Sequence, residues 1–178
     1  KIDLRILQVN KTMGKLKSIG YELRDVAVVQ APVSFINHRG EADPFVEICN
    51  RRVYPIFVAP MASVTDENHY RIWIENGVTP VVPRSVQQRL SFEDRMTIAR
   101  ETFVSISLNE AKENLFSYLE HCDDQVGPLF ICIDIAHGTL SDLYNICKEI
   151  KRRFPYVIIM AGNVANPSAY SFYADAGI

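Results

Sequence analysis

Polar side chains stand directly behind several short apolar runs of this sequence. Arg84, Asp134 and Asn163 each follow such a run within two residues, and Met61 lies in the turn after an earlier run. In parallel α/β folds the carboxyl ends of the strands meet at one edge, where polar side chains line the ligand crevice. The sequence therefore predicts that these four residues converge on a single ligand-binding mouth.

Each of these positions also has a purely structural explanation. Thr65 and Asp66 can cap a helix, and Arg84 can be a solvated surface charge. Asn163 stands beside a glycine and can serve a turn alone. Asp134 is the hardest to explain in this way, because a carboxylate directly after an apolar run needs a partner or a ligand hydroxyl. The residues by themselves leave both explanations open.

Several kinds of site are disfavoured by their missing motifs. The chain has no GxGxxG or GxxxxGK[ST] phosphate loop and no GxSxG nucleophile elbow. Its histidines lack metal-ligand spacing, so no metal site is predicted, and His137 in its glycine turn is expected to be a loop residue. The cysteines form no CxxC pair and are expected to be reduced, mostly apolar thiols: Cys49, Cys122, Cys132 and Cys147.

Composition places the chain among ordinary globular proteins. Its 178 residues are 48% hydrophobic and 22% charged, and the net charge of −2 gives no argument for a nucleic-acid partner. No apolar run reaches the roughly 18 residues needed to cross a bilayer, so no membrane association is expected and the protein is predicted to be cytoplasmic. The sequence begins with Lys1 rather than Met, and we expect a longer gene product.

Apolar runs alternate with amphipathic segments along most of the chain. An early strand is predicted at 23–29, before a polar loop at 31–43. Further strands are predicted at 55–60, 78–82, 103–108, 129–133 and 157–161, and helices at 66–76, 91–100, 109–122, 141–154 and 167–176. Such alternation indicates parallel βαβ units. Five units fit either part of an eight-stranded (β/α) barrel or a complete open sheet of the flavodoxin type, and periodicity does not decide between them.

Four short motifs in order resemble the IMP dehydrogenase/GMP reductase family. The stretch 60–66, Pro-Met-Ala-Ser-Val-Thr-Asp, resembles the family's turn after the first barrel strand, and 134–138, Asp-Ile-Ala-His-Gly, resembles a later turn. The stretch 159–164, Ile-Met-Ala-Gly-Asn-Val, resembles the family's AGNV strand, and 39–43 resembles a loop near its N-terminus. The resemblance covers about residues 21–178, and the two later motifs together are its most specific part.

The resemblance implies a (β/α)8 TIM barrel, usually a homotetramer, that acts on a purine nucleotide with a nicotinamide cofactor. Residues 21–178 would then be the N-terminal part of a single catalytic domain, after a segment 1–20 of unassigned role. The catalytic nucleophile, a cysteine in a glycine-rich loop, is expected beyond Ile178. Any monovalent cation would also be bound outside these residues.

Within the family, the resemblance favours the GMP reductase branch. Only 18 positions separate Ser85 from Phe103, which leaves no room for the regulatory domain pair that IMP dehydrogenases usually insert there. GMP reductases also carry a basic residue where Arg84 falls. On the other side, His137 is closer to the dehydrogenase form of its turn, and some dehydrogenases lack the insert. IMP dehydrogenase, or an inactive barrel that only binds nucleotide, is therefore kept as the alternative.

The resemblance also implies a role for each site residue. Ala59, Met61 and Asn163 are expected to bind the purine nucleotide, GMP or IMP. The remaining residues are expected to bind the cofactor: His38, Arg39, Arg84, Asp134, Ile135 and Ala136. A positive Arg39 suits a phosphate-bearing cofactor, because guanidinium pairs with phosphate bidentately, and NADPH is therefore favoured over NAD.

Overall fold

The computed structural model describes Ala27, Val29 and residues 32–84, 89–121 and 127–178 of the chain. The chain divides into two compact units, 1–42 and 43–178. The predicted segment 1–20 and nearly all of the predicted strand at 23–29 lie outside the described residues. The described part of the first unit contains one short 3₁₀ helix, Arg39–Glu41.

The second unit is built around a parallel five-stranded sheet. Its five strands lie side by side in chain order, and every neighbouring pair is parallel. Their bounds are Phe57–Val58 for β3, Thr79–Val82 for β4, Phe103–Ile106 for β5, Leu129–Ile133 for β6 and Val157–Ala161 for β7. All five predicted strands of this sheet are confirmed, and the bounds of β6 and β7 match the prediction.

The helices between these strands end close to the predicted positions. They are α1 Tyr70–Glu75, α2 Phe92–Ile98, α3 Leu108–Glu110, α4 Phe116–Glu120, α5 Ser141–Arg153 and α6 Pro167–Ala174. A π-helical turn, Ala111–Leu115, joins α3 to α4, so the two form one continuous helical segment. No helix within the described ranges is long and apolar enough to span a membrane.

Helix α1 begins four residues later than predicted. Asp66 caps the turn that leads into the helix, because its carboxylate accepts hydrogen bonds from the backbone N–H groups of Asn68 and His69 and from the His69 ring. These bonds fold 66–69 into a turn before the helix. Its predicted end is confirmed, since Gly77 has φ of +74° and the Val78 N–H donates to the Trp73 carbonyl.

The two faces of the sheet carry different neighbours. One face packs against the helices and forms the larger core, which includes Val104, Ile131 and Ile159 together with Leu115 and Ile150 of the helical layer. The alternate strand residues form a separate cluster on the other face: Val81, Phe103, Phe130, Cys132, Ile158 and Met160. Successive residues of a strand point to opposite faces. The larger core contains residues of α1 to α6 and the other cluster contains strand residues only, so these helices lie on one side of the sheet.

Strand order and this one-sided helical layer distinguish between the two folds left open by the sequence. A flavodoxin-like sheet has the order 2-1-3-4-5 and carries helices on both faces. Here the order follows the chain and the helices cover one face, which is the arrangement of consecutive strands in a (β/α) barrel wall. The second unit is therefore a mixed α/β fold of the barrel-like kind rather than a doubly wound sheet.

A short antiparallel hairpin precedes the sheet and was not predicted. Its strands are β1, Val46–Ile48, and β2, Arg51–Val53. The two turn residues Cys49 and Asn50 both have positive φ, 52° and 62°, as a type I′ turn requires. The Arg51 guanidinium lies 4.3 Å from the Phe130 ring centroid and donates to backbone carbonyls just before β5, at the amino ends of the strands.

Candidate functional site

The predicted site residues of the second unit all follow the carboxyl ends of parallel strands. Ala59 and Met61 follow β3, Arg84 follows β4, Asp134 begins the stretch after β6, and Asn163 follows β7. Because the strands are parallel, these ends lie along one edge of the sheet. We call the set the strand-end rim: Ala59, Met61, Arg84, Asp134, Ile135, Ala136 and Asn163.

An ion pair crosses the middle of the strand-end rim. The Arg84 guanidinium Nη2 lies 3.5 Å from the Asp134 Oδ2, so the two side chains meet across the end of the intervening strand β5. The side chains remain 45% and 36% exposed, respectively. A half-exposed pair of this kind contributes little to stability, but it offers hydrogen-bond donors and an acceptor to a ligand.

The turn after β6 packs directly on the turn after β7. Gly138 is buried, and a Cβ added there would lie 2.2 Å from the Gly162 carbonyl oxygen. The Gly138 N–H donates to the Asn163 carbonyl at 3.2 Å. Only glycine permits this approach of two backbones. This explains why the Asp-Ile-Ala-His-Gly stretch ends with glycine.

Asn163 holds the same two turns together with its side chain. Its Nδ2 donates to the Ile135 carbonyl at 2.9 Å, and its φ of +40° lies in the left-handed region that asparagine tolerates better than most residues. The structural explanation for Asn163 is thus supported. Its Oδ1 is the acceptor that the side chain can still offer to a nucleotide.

Met61 presents an apolar surface at the β3 end of the rim. Its carbonyl accepts the N–H groups of Val64 and Thr65 and closes a turn, while its side chain is 54% exposed. Ala59 is exposed beside it. An exposed, flexible thioether can pack against a planar ring, which suits the apolar platform expected at this position.

Several known proteins that are similar to this chain are named GMP reductase. GMP reductases from Shouchella clausii and Oenococcus oeni are 31% and 35% identical to it, over 88% and 80% of this chain and 48% and 44% of the relative. A GMP reductase from Bacillus cereus is 29% identical over 88% of this chain and 48% of its own length. The chain belongs to the IMP dehydrogenase/GMP reductase family.

This membership confirms the family resemblance of the sequence motifs. The chain spans about half the length of the curated relatives it matches, 48% for the Shouchella clausii protein. It matches no protein-family model. The family assignment therefore rests on the aligned relatives, and the roles of individual rim residues stay predictions.

His38 and Arg39, the other predicted cofactor residues, belong to the first unit. The His38 Nδ1 accepts the Gly40 N–H at 3.1 Å and caps the 3₁₀ turn Arg39–Glu41. The Asn37 N–H donates to the Glu41 carboxylate at 3.1 Å and closes the same turn from the other side. Both predicted side chains are exposed, so they are accessible to a ligand.

The end of β5 carries a polar network that the sequence analysis missed. Ser107 and Glu110 form a capping box at the start of α3, and the Glu110 Oε1 accepts from the buried Arg95 at 2.7 Å. Burial raises the pKa of Glu110, but hydrogen bonds from Ser107 and Arg95 outweigh it and hold that pKa below its usual value. The Ser-x-x-Glu spacing was the available signal.

Two cysteines of this chain, Cys132 and Cys147, are poorly suited to act as nucleophiles. Burial raises the pKa of Cys132 to about 11 and that of Cys147 to about 12, so both remain thiols at neutral pH. Cys49 is exposed but lies in the β1–β2 turn and not on the strand-end rim. Cys122 falls outside the described residues. Across the described ranges, no three His, Cys, Asp or Glu side chains cluster as metal ligands.

Proposed function

We propose that the protein is a GMP reductase, which uses NADPH to convert GMP to IMP by reductive deamination in purine nucleotide metabolism. The observation that carries the proposal is the strand-end rim of a chain whose relatives are named GMP reductases. An arginine, an aspartate and an asparagine follow three parallel strands of that rim. The relatives' names support the coarser part of the proposal, an oxidoreductase of this family.

The fold proposed for the whole protein is a closed (β/α)8 barrel. Chain-order parallel strands and a helical layer on one face support it. The cluster on the other face supports it as well, because Phe103, Phe130 and Met160 lie where a barrel interior would be filled. Residues 21–178 would contribute the first five barrel strands of one catalytic domain without an inserted regulatory domain, and the whole protein would form a homotetramer.

The residues of the rim fit a nicotinamide dinucleotide. The donors and acceptor of Arg84 and Asp134 are half-exposed, and Ala136 is small and exposed, so all three can be reached by a flat polar ring. In the proposed site, Arg84, Asp134, Ile135 and Ala136 bind the nicotinamide side of NADPH. His38 and Arg39, which belong to the first unit, remain predicted cofactor residues on the family resemblance alone. The cofactor supplies the hydride.

The substrate is proposed to contact residues at both ends of the rim. Met61 and Ala59 would pack against the purine, and the free Oδ1 of Asn163 would accept a hydrogen bond from the nucleotide. Since the structure keeps Cys132 and Cys147 protonated, the catalytic cysteine is assigned to neither, and the catalytic residues stay unknown.

The decisive assay uses the full-length protein with GMP and NADPH. We expect absorbance at 340 nm to fall, with IMP and ammonia as products in equal amounts. If absorbance is unchanged, and IMP with NAD⁺ instead produces NADH and XMP, the protein is an IMP dehydrogenase. If neither reaction occurs but GMP or IMP binds in calorimetry, the inactive nucleotide-binding barrel replaces both.

A further inference from the structure

Tyr173, on helix α6, reaches the turn that carries the predicted cofactor residues. Its hydroxyl donates to the Gly138 carbonyl at 2.6 Å, across 35 positions of sequence. The side chain is buried, at 6% exposure, and its ring packs edge-on against Tyr144 of α5, with centroids 5.8 Å apart. The phenol is therefore held in place by the helical layer, and the hydroxyl points at the end of the sheet.

Gly138 is the point at which three separate constraints meet. Its N–H donates to Asn163, its Cα faces the Gly162 carbonyl, and its own carbonyl accepts from Tyr173. A buried hydrogen bond to a carbonyl fixes the direction of the peptide plane that follows it, and an unmade bond there leaves a desolvated acceptor. The Tyr173 hydroxyl thus helps determine where residues 134–138 lie.

We propose that Tyr173 is a positioning residue, whose hydroxyl holds the Asp134–Gly138 turn in the conformation that binds the nicotinamide cofactor. The inference rests on the proposed function for its catalytic consequence, although the tie itself does not depend on any ligand. Burial raises the pKa of Tyr173, so the phenol remains a donor throughout the neutral range.

The test compares Tyr173→Phe with Tyr170→Phe in the full-length protein. Tyr170 lies on the same helix but is 68% exposed, so the control removes the same oxygen without touching the turn. In the ligand-free protein we expect hydrogen exchange at 134–139 to be about fivefold faster in Tyr173→Phe, and exchange in β6 to stay unchanged. In the assay we expect KM for NADPH to rise about fivefold, with kcat within about twofold.

A second variant keeps the test decisive if Tyr173→Phe folds poorly. Incorporation of 3-fluorotyrosine at position 173 makes the phenol a stronger donor and should slow exchange at 134–139, which loss of structure cannot do. Unchanged exchange at 134–139 in Tyr173→Phe would overturn the proposal. If Tyr173→Phe instead speeds exchange throughout the second unit, exchange at 134–139 that 3-fluorotyrosine fails to slow would overturn it. A wild-type protein that reduces no GMP, but whose 134–139 exchange responds as described, would sink the proposed function alone.

Discussion

The two sides of the strand-end rim are built in different ways. On the β6–β7 side, Gly138, Gly162 and Asn163 lock two turns together through backbone approach and hydrogen bonds. On the β3–β4 side, Met61 and Arg84 leave the sheet as exposed side chains. Backbone geometry thus defines one side, and side-chain chemistry defines the other.

This difference indicates a division of labour between the two sides. A turn whose peptide groups are fixed beforehand loses little conformational entropy when a ligand binds. Flexible side chains such as Met61 and Arg84 must be ordered on binding, but they can adapt to the shape of a bound ring or phosphate. Substitutions on the β6–β7 side should therefore affect folding first, and those on the β3–β4 side should affect ligand binding almost alone.

The largest effect is expected from Gly138→Ala. Its Cβ would lie 2.2 Å from the Gly162 carbonyl oxygen and 2.8 Å from the Asn163 carbonyl carbon, so the backbone has to move. We expect a loss of about 3 kcal/mol in the free energy of unfolding, measured by urea denaturation. Gly162→Ala is the matched control, because a Cβ there meets nothing within 4 Å, and it should stay within about 1 kcal/mol of wild type. Equal losses in the two variants would show that the turns are not locked together.

Asn163→Ala should cost less, about 2 kcal/mol, because it removes one hydrogen bond and places alanine in the left-handed region. Asn163→Gly separates the two causes. Glycine tolerates the φ of +40° but cannot donate to Ile135, so only the hydrogen-bond share, about 1 kcal/mol, should be lost. Urea denaturation of both variants measures the split. If glycine were as costly as alanine, the backbone conformation would contribute nothing.

The sheet could be predicted from the sequence, because buried parallel strands are continuous apolar runs. Strands β6 and β7 begin and end where their runs do, and helix α5 follows its periodic stripe of Leu143, Cys147 and Ile150. The hairpin β1–β2 escaped prediction because its strands are rich in charge and its turn begins with a cysteine, which is not a usual turn residue.

The positions of the predicted rim residues along the sheet followed from strand polarity, but the contacts among them did not. A glycine after His137 looks like an ordinary turn residue, and nothing local shows that its Cα faces another backbone. In the sequence, Tyr173 is one of several aromatic residues in a predicted helix, and its partner lies 35 positions away. Local patterns report burial and periodicity, whereas such long-range polar contacts depend on the assembled fold.

On the β3–β4 side, Arg84→Gln should leave the free energy of unfolding within about 0.5 kcal/mol of wild type, because an exposed pair contributes little. If Arg84 binds the cofactor as proposed, KM for NADPH should rise roughly tenfold. Arg52→Gln is the control, since Arg52 forms a similar exposed pair with Asp43 at 2.8 Å in the hairpin region. Steady-state kinetics on both variants makes the measurement. A tenfold change in both would mean that overall charge, and not the rim, governs cofactor binding.

The smallest effect is expected from Met61→Ala. The side chain is 54% exposed, so its truncation should change the free energy of unfolding by less than about 1 kcal/mol. Covering that exposed half with a purine ring is worth about 1 kcal/mol, which predicts a roughly fivefold rise in KM for GMP and an unchanged KM for NADPH. Ile72, on α1, is 55% exposed and serves as the matched position, where alanine should alter neither constant. A rise in KM for NADPH but not for GMP would place the cofactor, and not the purine, on Met61, and the proposed ends of the rim would have to be exchanged.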